Sequence, residues 1–151
     1  MGYITDLRKL VGTRPLIMAG SCVLVFNVQG HLLLQRRTDS LDWGTIGGSL
    51  ELGESLEEAA ARELYEEAGL RAEAYKLITV FSGQDMYYQY PHGDEIYNVM
   101  AIYEAEGITG TPTVMDDEGL ELRYFDLTQP IPEINPFTQY VLSKAGYIQT
   151  Q

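Results

Sequence analysis

Glu63, Glu66 and Glu67 stand close together near the middle of the sequence. In an α-helix, with about 100° of rotation per residue, their side chains fall within a single arc of roughly 100°. Like charges at this spacing repel each other, and the repulsion grows where the carboxylates lose contact with water. A divalent cation would relieve it, because Mg²⁺ and Mn²⁺ prefer carboxylate oxygens. The arc by itself leaves two interpretations open, a metal site and a solvated acidic helix surface.

The helix that would carry these glutamates has recognisable ends. Ser55 and Glu58 have the spacing of a capping box, and Gly69 is a typical stop residue, so we predict a helix over residues 55–68. The glycine-rich segment 47–53 leads directly into it and would let the backbone and a ligand approach each other. The sequence therefore predicts a loop and a helix that present carboxylates together.

The spacing of these residues resembles the Nudix box, the signature of a hydrolase family. Gly48 is followed after five residues by Glu54, and after seven more by the run Arg62-Glu63-Leu64-Tyr65-Glu66-Glu67-Ala68-Gly69-Leu70. The match covers residues 48–70, through a loop and a capped helix, which is the structural context that such a motif requires. The resemblance implies a Nudix-type α/β/α sandwich around a mixed β-sheet, with a single domain over residues 1–151.

The resemblance also implies a reaction and a role for each residue of the box. In this family water attacks phosphorus, and bound metal neutralises and orients the diphosphate. The residues that match the metal ligands, with Mg²⁺ or its substitute Mn²⁺, are Glu63, Glu66, Glu67 and the carbonyl of Gly48. Arg62 and Glu54 match the pair that joins the loop to the helix by charge pairing. Family members often use a further carboxylate, for which we expect Glu118, with Glu121 and Asp117 as alternatives.

The expected substrate is a small nucleoside diphosphate linked to another group, in the class of ADP-ribose, nucleotide sugars, dinucleoside polyphosphates or nucleoside triphosphates. The box does not choose among them. Outside it, basic side chains could bind a terminal phosphate and aromatic rings could stack on a base. These candidates are Arg36, Arg37, Trp43, Tyr87, Tyr88 and Tyr97. A surface pair that balances nearby acids is an equal interpretation of the arginines, and sheet packing is the favoured interpretation of each tyrosine. Trp43 could cover a base or shield the loop.

Composition limits the other partners. A net charge of -12 and a pI near 4.4 disfavour general nucleic-acid or membrane binding, but a bound cation could still attract a small anion. Cys22 lies in an apolar run and is expected to be a buried small hydrophobic residue. No signal peptide is recognisable at the N-terminus, so we expect a cytoplasmic protein. A homodimer is among the expectations because many members of the family are dimers.

Two other functions on the same fold compete with hydrolysis. A non-catalytic Nudix-fold nucleotide sensor would be marked by degenerate box glutamates, and all of them are intact here. An isomerase of the isopentenyl diphosphate type relies on a catalytic cysteine, for which Cys22 within a strand is a poor candidate.

The elements around the box follow from hydrophobic patterning and turn residues. We predict strands over residues 16–27 and 32–36, paired as a hairpin, and further strands over residues 75–82, 96–103 and 121–125. Residues 39–48 are predicted to form a loop. Short helices are expected over residues 6–11 and 137–145. Strands on both sides of one central helix are typical of an α/β sandwich.

Overall fold

A computed structural model describes residues 2–149 and contains three α-helices. They are α1 (Tyr3–Val11), α2 (Leu56–Ala68) and α3 (Pro136–Lys144). Among these residues no helix is both long and apolar enough to cross a membrane.

In the described part of the chain, eight β-strands form two sheets. They are β1 (Leu16–Leu24), β2 (Leu32–Arg37), β3 (Trp43–Gly44), β4 (Ile46–Ser49), β5 (Ala74–Phe81), β6 (Tyr87–Gln89), β7 (Glu95–Glu106) and β8 (Gly119–Phe125). The larger sheet has the order β4-β1-β7-β5, and β6 also pairs with β7. Within it β1 and β7 are parallel and the other pairs are antiparallel, so the sheet is mixed. The smaller sheet is antiparallel, with the order β3-β2-β8.

The two faces of the larger sheet are covered by different helices. Val23 and Ala101 on one face belong to the hydrophobic cluster that contains Leu64 of α2. On the other face, Leu24 and Ile102 belong to the cluster that contains Leu142 of α3. Successive residues of a strand point to opposite faces, which explains how neighbouring positions supply two separate cores. The expected α/β sandwich around a mixed sheet is confirmed.

Helix α2 has the predicted ends. The N–H of Glu58 donates to the hydroxyl of Ser55, and the N–H of Ser55 donates to the carboxylate of Glu58, both at 3.0 Å. Gly69 ends the helix in the left-handed conformation, with φ of 68°, which glycine adopts without a steric penalty. Both ends of the helix are therefore fixed by local interactions.

Two predictions for the segments around β2 are wrong. Strands β1 and β2 do not form a hairpin ladder, and only an isolated bridge joins Phe26 to Leu32. Both edges of β1 are occupied, by β4 and β7, so β2 enters the second sheet and pairs with β3 and β8. The predicted loop over residues 39–48 instead contains β3 and most of β4. These strands have two and four residues, too few for a periodic pattern to be recognised.

Candidate functional site

The three clustered glutamates of α2 have different environments. Glu63 and Glu67 are buried, with 9% and 2% of their surface exposed, whereas Glu66 lies in solvent. Residues four positions apart lie on the same helix face, so the two buried carboxylates are neighbours on the side that faces β4. The arc seen in the sequence is therefore divided into a buried acidic pair and one exposed carboxylate.

Glu67 is fixed by two neutral hydrogen-bond donors. The side-chain amide of Gln35, in β2, donates to Oε1 of Glu67 at 2.9 Å. The backbone N–H of Gly47, in β4, donates to Oε2 at 3.0 Å. The carboxylate is thus oriented by one residue from each sheet, and each of its oxygens keeps a further lone pair.

Gly48 provides the space for the other buried carboxylate. A Cβ atom at this position would lie 2.6 Å from Oε1 and 3.1 Å from Oε2 of Glu63. Real Cβ atoms do not approach an oxygen so closely, so a side chain here would displace the carboxylate. The absence of a side chain lets Glu63 lie directly against the β4 backbone.

Burial disfavours the ionised form of both acids. It raises the pKa of Glu63 to about 7, although the charge and the hydrogen bond of Arg62 act in the opposite direction. The pKa of Glu67 is also raised well above its ordinary value, first by burial and then by the neighbouring charge of Glu63. Two adjacent buried carboxylates of this kind are electrostatically strained unless a proton or a cation accompanies them.

Arg62 joins the helix to the preceding loop. Its guanidinium donates to both carboxylate oxygens of Glu54, at 2.7 and 2.9 Å, and to the carbonyl of Ser49 at 3.0 Å. This bidentate bond is the main reason why the pKa of Glu54 is lowered. The same guanidinium donates to Glu63 at 2.7 Å and to Glu66 at 3.3 Å. The arrangement agrees with the charge-pairing role that the resemblance implies for Arg62 and Glu54.

The chemistry of this donor set fits a hard divalent cation. Buried carboxylate oxygens beside an open glycine backbone are ligands that Mg²⁺ and Mn²⁺ accept, and a cation would offset the repulsion within the pair. Across residues 2–149, however, no three His, Cys, Asp or Glu side chains form a ready-made metal cage. Glu66 lies in solvent and contacts Arg62. Metal binding by Glu63, Glu66, Glu67 and Gly48 stays a prediction.

Glu118 lies in the loop before β8, near the acidic pair. Its charge contributes to the raised pKa of both Glu63 and Glu67. Its own pKa is raised, first by partial burial and then by Asp116. Of the two alternatives, Glu121 is paired with Arg123 at 2.8 Å, and neither Glu121 nor Asp117 is among the charges that shift the pKa of Glu63 or Glu67. These contacts favour Glu118 as the additional carboxylate.

A cavity of about 110 Å³ lies beside the Gly47–Gly48 backbone, on the α3 side of the larger sheet. This volume is smaller than the engineered apolar cavity of about 150 Å³ that encloses benzene, but the cavity beside Gly47 and Gly48 is open to solvent on one side. The cavity is lined by Met18, Cys22, Arg37, Gly44, Thr45, Gly47, Gly48, Tyr88, Tyr90, Asn98, Met100, Asn135, Phe137 and Thr138. Gly47 and Gly48 therefore border both the cavity and the acidic pair.

Two of the six proposed substrate-binding residues line this cavity, Arg37 and Tyr88. Arg36 is directed elsewhere, donating to the carbonyl of Leu41 and pairing with Glu133 at 3.6 Å. Tyr87 and Tyr97 pack against each other with ring centroids 5.3 Å apart. Tyr87 precedes Tyr88 in β6 and so points to the opposite face of the sheet. The structure does not bring Arg36, Tyr87 or Tyr97 to the cavity.

Trp43 lies in the core and does not line the cavity. Only 3% of its surface is exposed, and its ring packs edge-on against Phe125 with centroids 4.9 Å apart. The guanidinium of Arg123 lies 5.0 Å from its centroid. The prediction that Trp43 covers a base is wrong, because the short strand β3 carries the ring into the core. Cys22 is buried as expected, and burial raises the pKa of its thiol to about 12.

Three residues beside the acidic pair and the cavity were not predicted from the sequence. Gln35 is 1% exposed and contacts Glu67, and a polar residue directly after three leucines was the available signal. Tyr90 follows Tyr88 at the two-residue spacing of one strand face and makes an edge-on contact with it, with centroids 4.9 Å apart. Asn98 is 6% exposed and lines the cavity from β7. Nothing in the local sequence distinguished Asn98.

Comparison with known proteins identifies the family. The family model described as the NUDIX domain matches residues 17–145. The chain belongs to the NUDIX family. The NAD-capped RNA hydrolase NudC of Actinobacillus succinogenes is 29% identical over 120 residues, which are 80% of this chain and 41% of that protein. An RNA pyrophosphohydrolase of Shewanella denitrificans is 44% identical over 57 residues, 38% of this chain and 33% of that protein. The chain thus spans between a third and about two fifths of the length of these curated relatives.

Solved structures share the fold over most of the chain. A MutT NUDIX hydrolase from Burkholderia pseudomallei has a TM-score of 0.71 and 26% identity, over 85% of this chain and 97% of that one. The NUDIX domain of Shewanella oneidensis NrtR, solved with ADP ribose, has a TM-score of 0.64 and 16% identity, over 97% and 98% of the two chains. At that identity the second likeness concerns the fold alone.

Proposed function

We propose that this NUDIX chain is a divalent-metal-dependent pyrophosphohydrolase acting on a nucleoside diphosphate linked to another group. The observation that carries the proposal is the buried pair Glu63 and Glu67, placed against the glycine backbone that also borders the cavity. A buried like-charged pair destabilises a fold, and such an arrangement at a cleft is typical of a functional site. The names of the curated relatives, which include pyrophosphohydrolases, support the same reaction class.

The acidic pair and Gly48 would bind the cation. When bound, Mg²⁺ would neutralise the diphosphate and lower the pKa of a coordinated water. The chain's own groups supply the remaining functions. Arg62 fixes the loop through Glu54 and keeps Glu63 against Gly48. Glu118 is our candidate to accept the proton of the attacking water, since partial burial and Asp116 raise its pKa towards a range suited to a base.

The cavity would bind the nucleoside end of the substrate. Tyr88, Tyr90 and Phe137 supply aromatic surface on which a base could stack, and the open side of the cavity lets a ring lie partly within it. Asn98 donates to the carbonyl of Met86 at 3.3 Å. No hydrogen bond among residues 2–149 uses its side-chain oxygen, which leaves an acceptor for an amino group of a base. Arg37, paired with Asp39, lines the same cavity and would bind phosphate.

A nucleotide sensor remains the alternative, and one experiment separates the two. The protein is mixed with Mg²⁺ and a panel of ADP-ribose, dinucleoside polyphosphates, nucleotide sugars, CDP-alcohols and nucleoside triphosphates, and phosphorylated products are followed by chromatography. Turnover of at least one compound, abolished by EDTA and by Glu67→Gln, is expected. Tight binding without turnover of any compound would favour the sensor, and an unchanged rate for Glu67→Gln would contradict the metal assignment.

A further inference from the structure

Gln35 is the only side chain among residues 2–149 that donates a hydrogen bond to Glu67. The other donor, the N–H of Gly47, belongs to the backbone. Gln35 lies in β2 of the smaller sheet, whereas Glu67 belongs to α2, which packs on the larger one. The hydrogen bond therefore connects the acidic pair to the smaller sheet, which contains no residue of the box over residues 48–70.

The other end of the Gln35 carboxamide faces the loop of Glu118. Its Oε1 is buried and has no hydrogen-bond partner among the described residues. A Cβ atom on Gly119 would lie 2.9 Å from this oxygen, which is closer than real Cβ contacts allow. Gly119 is the first residue of β8 and directly follows Glu118. Since its φ lies outside the left-handed region, the need for glycine here comes from Gln35 and not from the backbone.

We propose that Gln35 is a positioning residue for the cation site, and that Gly119 keeps its carboxamide in the orientation that donates to Glu67. The inference rests on the proposed function, because it assigns Gln35 a role through a carboxylate that would bind the cation. Gln35 would act through Glu67, to which its side chain donates.

The surroundings of Glu67 must stabilise its carboxylate as an anion without repelling a cation. Glu67 is only 2% exposed and lies one helical turn from the buried Glu63, so water contributes little to the solvation of its carboxylate and neighbouring protein groups must do so. A positively charged partner would stabilise the anion but would compete with the cation, whereas a neutral amide stabilises the anion without repelling a metal. The amide also fixes the plane of the carboxylate. Groups that hydrogen-bond to metal ligands in this way commonly change metal affinity by about 10- to 100-fold when removed.

The test uses Mn²⁺ as the probe, because the free ion can be counted by electron paramagnetic resonance without any turnover. Wild type, Gln35→Leu and Gly119→Ala are compared. The matched control is Gln139→Leu, which replaces a half-buried glutamine of α3 whose side chain, within residues 2–149, hydrogen-bonds only to Ser143. We expect Gln35→Leu to bind Mn²⁺ at least about tenfold more weakly than wild type. Gly119→Ala should also bind Mn²⁺ more weakly than wild type. Gln139→Leu should match wild type.

Steady-state kinetics and melting in EDTA distinguish positioning from a purely structural role. For Gln35→Leu we expect a lower kcat and a higher Mg²⁺ requirement, with the KM for nucleotide nearly unchanged and a melting temperature close to that of wild type. Mn²⁺ affinity of both variants within about twofold of wild type would overturn the proposal. Loss of the fold in both would also overturn it, by assigning these residues a structural role. If wild-type protein neither binds Mn²⁺ nor hydrolyses any compound, the proposed function itself fails.

Discussion

Replacing Glu63 with glutamine should remove a pH-dependent instability of the metal-free protein. The pKa of Glu63 rises from 4.5 to about 7 on folding, with burial as the largest cause. The folded state therefore retains a proton that the unfolded state has lost, and stability falls as the pH rises through this interval. At about 1.4 kcal/mol per pKa unit, the full loss is about 3 kcal/mol, complete above pH 7 and absent below pH 4.5. Glu67 acts in the same direction, since its pKa is also raised.

The assay is urea unfolding in EDTA at pH 5 and pH 8. Glutamine at position 63 cannot ionise. From pH 5 to pH 8, the free energy of unfolding of Glu63→Gln should therefore rise by about 2 kcal/mol relative to that of wild type. Adding Mg²⁺ at pH 8 should stabilise wild type, since a cation binds the ionised form, and should stabilise the variant far less. Glu57→Gln is the control, because Glu57 is exposed on the same helix and is not among the charges that shift the pKa of Glu63 or Glu67, so its replacement should leave the pH dependence unchanged. Equal pH dependence of wild type and Glu63→Gln would refute the reasoning.

Three further predictions concern the neighbours of the acidic pair and the cavity. Gly48→Ala should weaken Mn²⁺ binding at least about tenfold by displacing the Glu63 carboxylate, and a wild-type affinity in an Mn²⁺ titration would contradict this. Arg62→Lys should lower the free energy of unfolding by about 1–2 kcal/mol, because lysine cannot make the bidentate bond to Glu54. An unchanged midpoint in urea unfolding would show that this bond does not contribute to stability. Asn98→Leu should raise the KM for a nucleotide whose base carries an amino group about fivefold, because one hydrogen bond of about 1 kcal/mol is lost. The KM for a purine riboside analogue without the amino group should be nearly unchanged. An equal effect on both nucleotides would remove Asn98 from base recognition.

The sequence predicted the elements whose signals are local. The ends of α2 depend on hydrogen bonds within three or four residues, so Ser55, Glu58 and Gly69 were sufficient to find them. Strands β5, β7 and β8 were found with their bounds displaced by a few residues, since their pattern is periodic. The extent of a single domain over residues 1–151, the cytoplasmic location and the dimer stay predictions.

The tertiary structure decided what depends on pairing between distant segments. Which glutamates are buried was not visible in a helical arc, because burial of Glu67 requires β2 and β4 to approach α2 from different sheets. The environment of Trp43 depended on the two-residue strand β3, whose partner β2 was expected to pair with β1. Spacing along the chain therefore indicated which residues are candidates for the chemistry. Only the folded sheets decided which carboxylates lose water, which neutral groups orient them, and which side chains surround the cavity beside them.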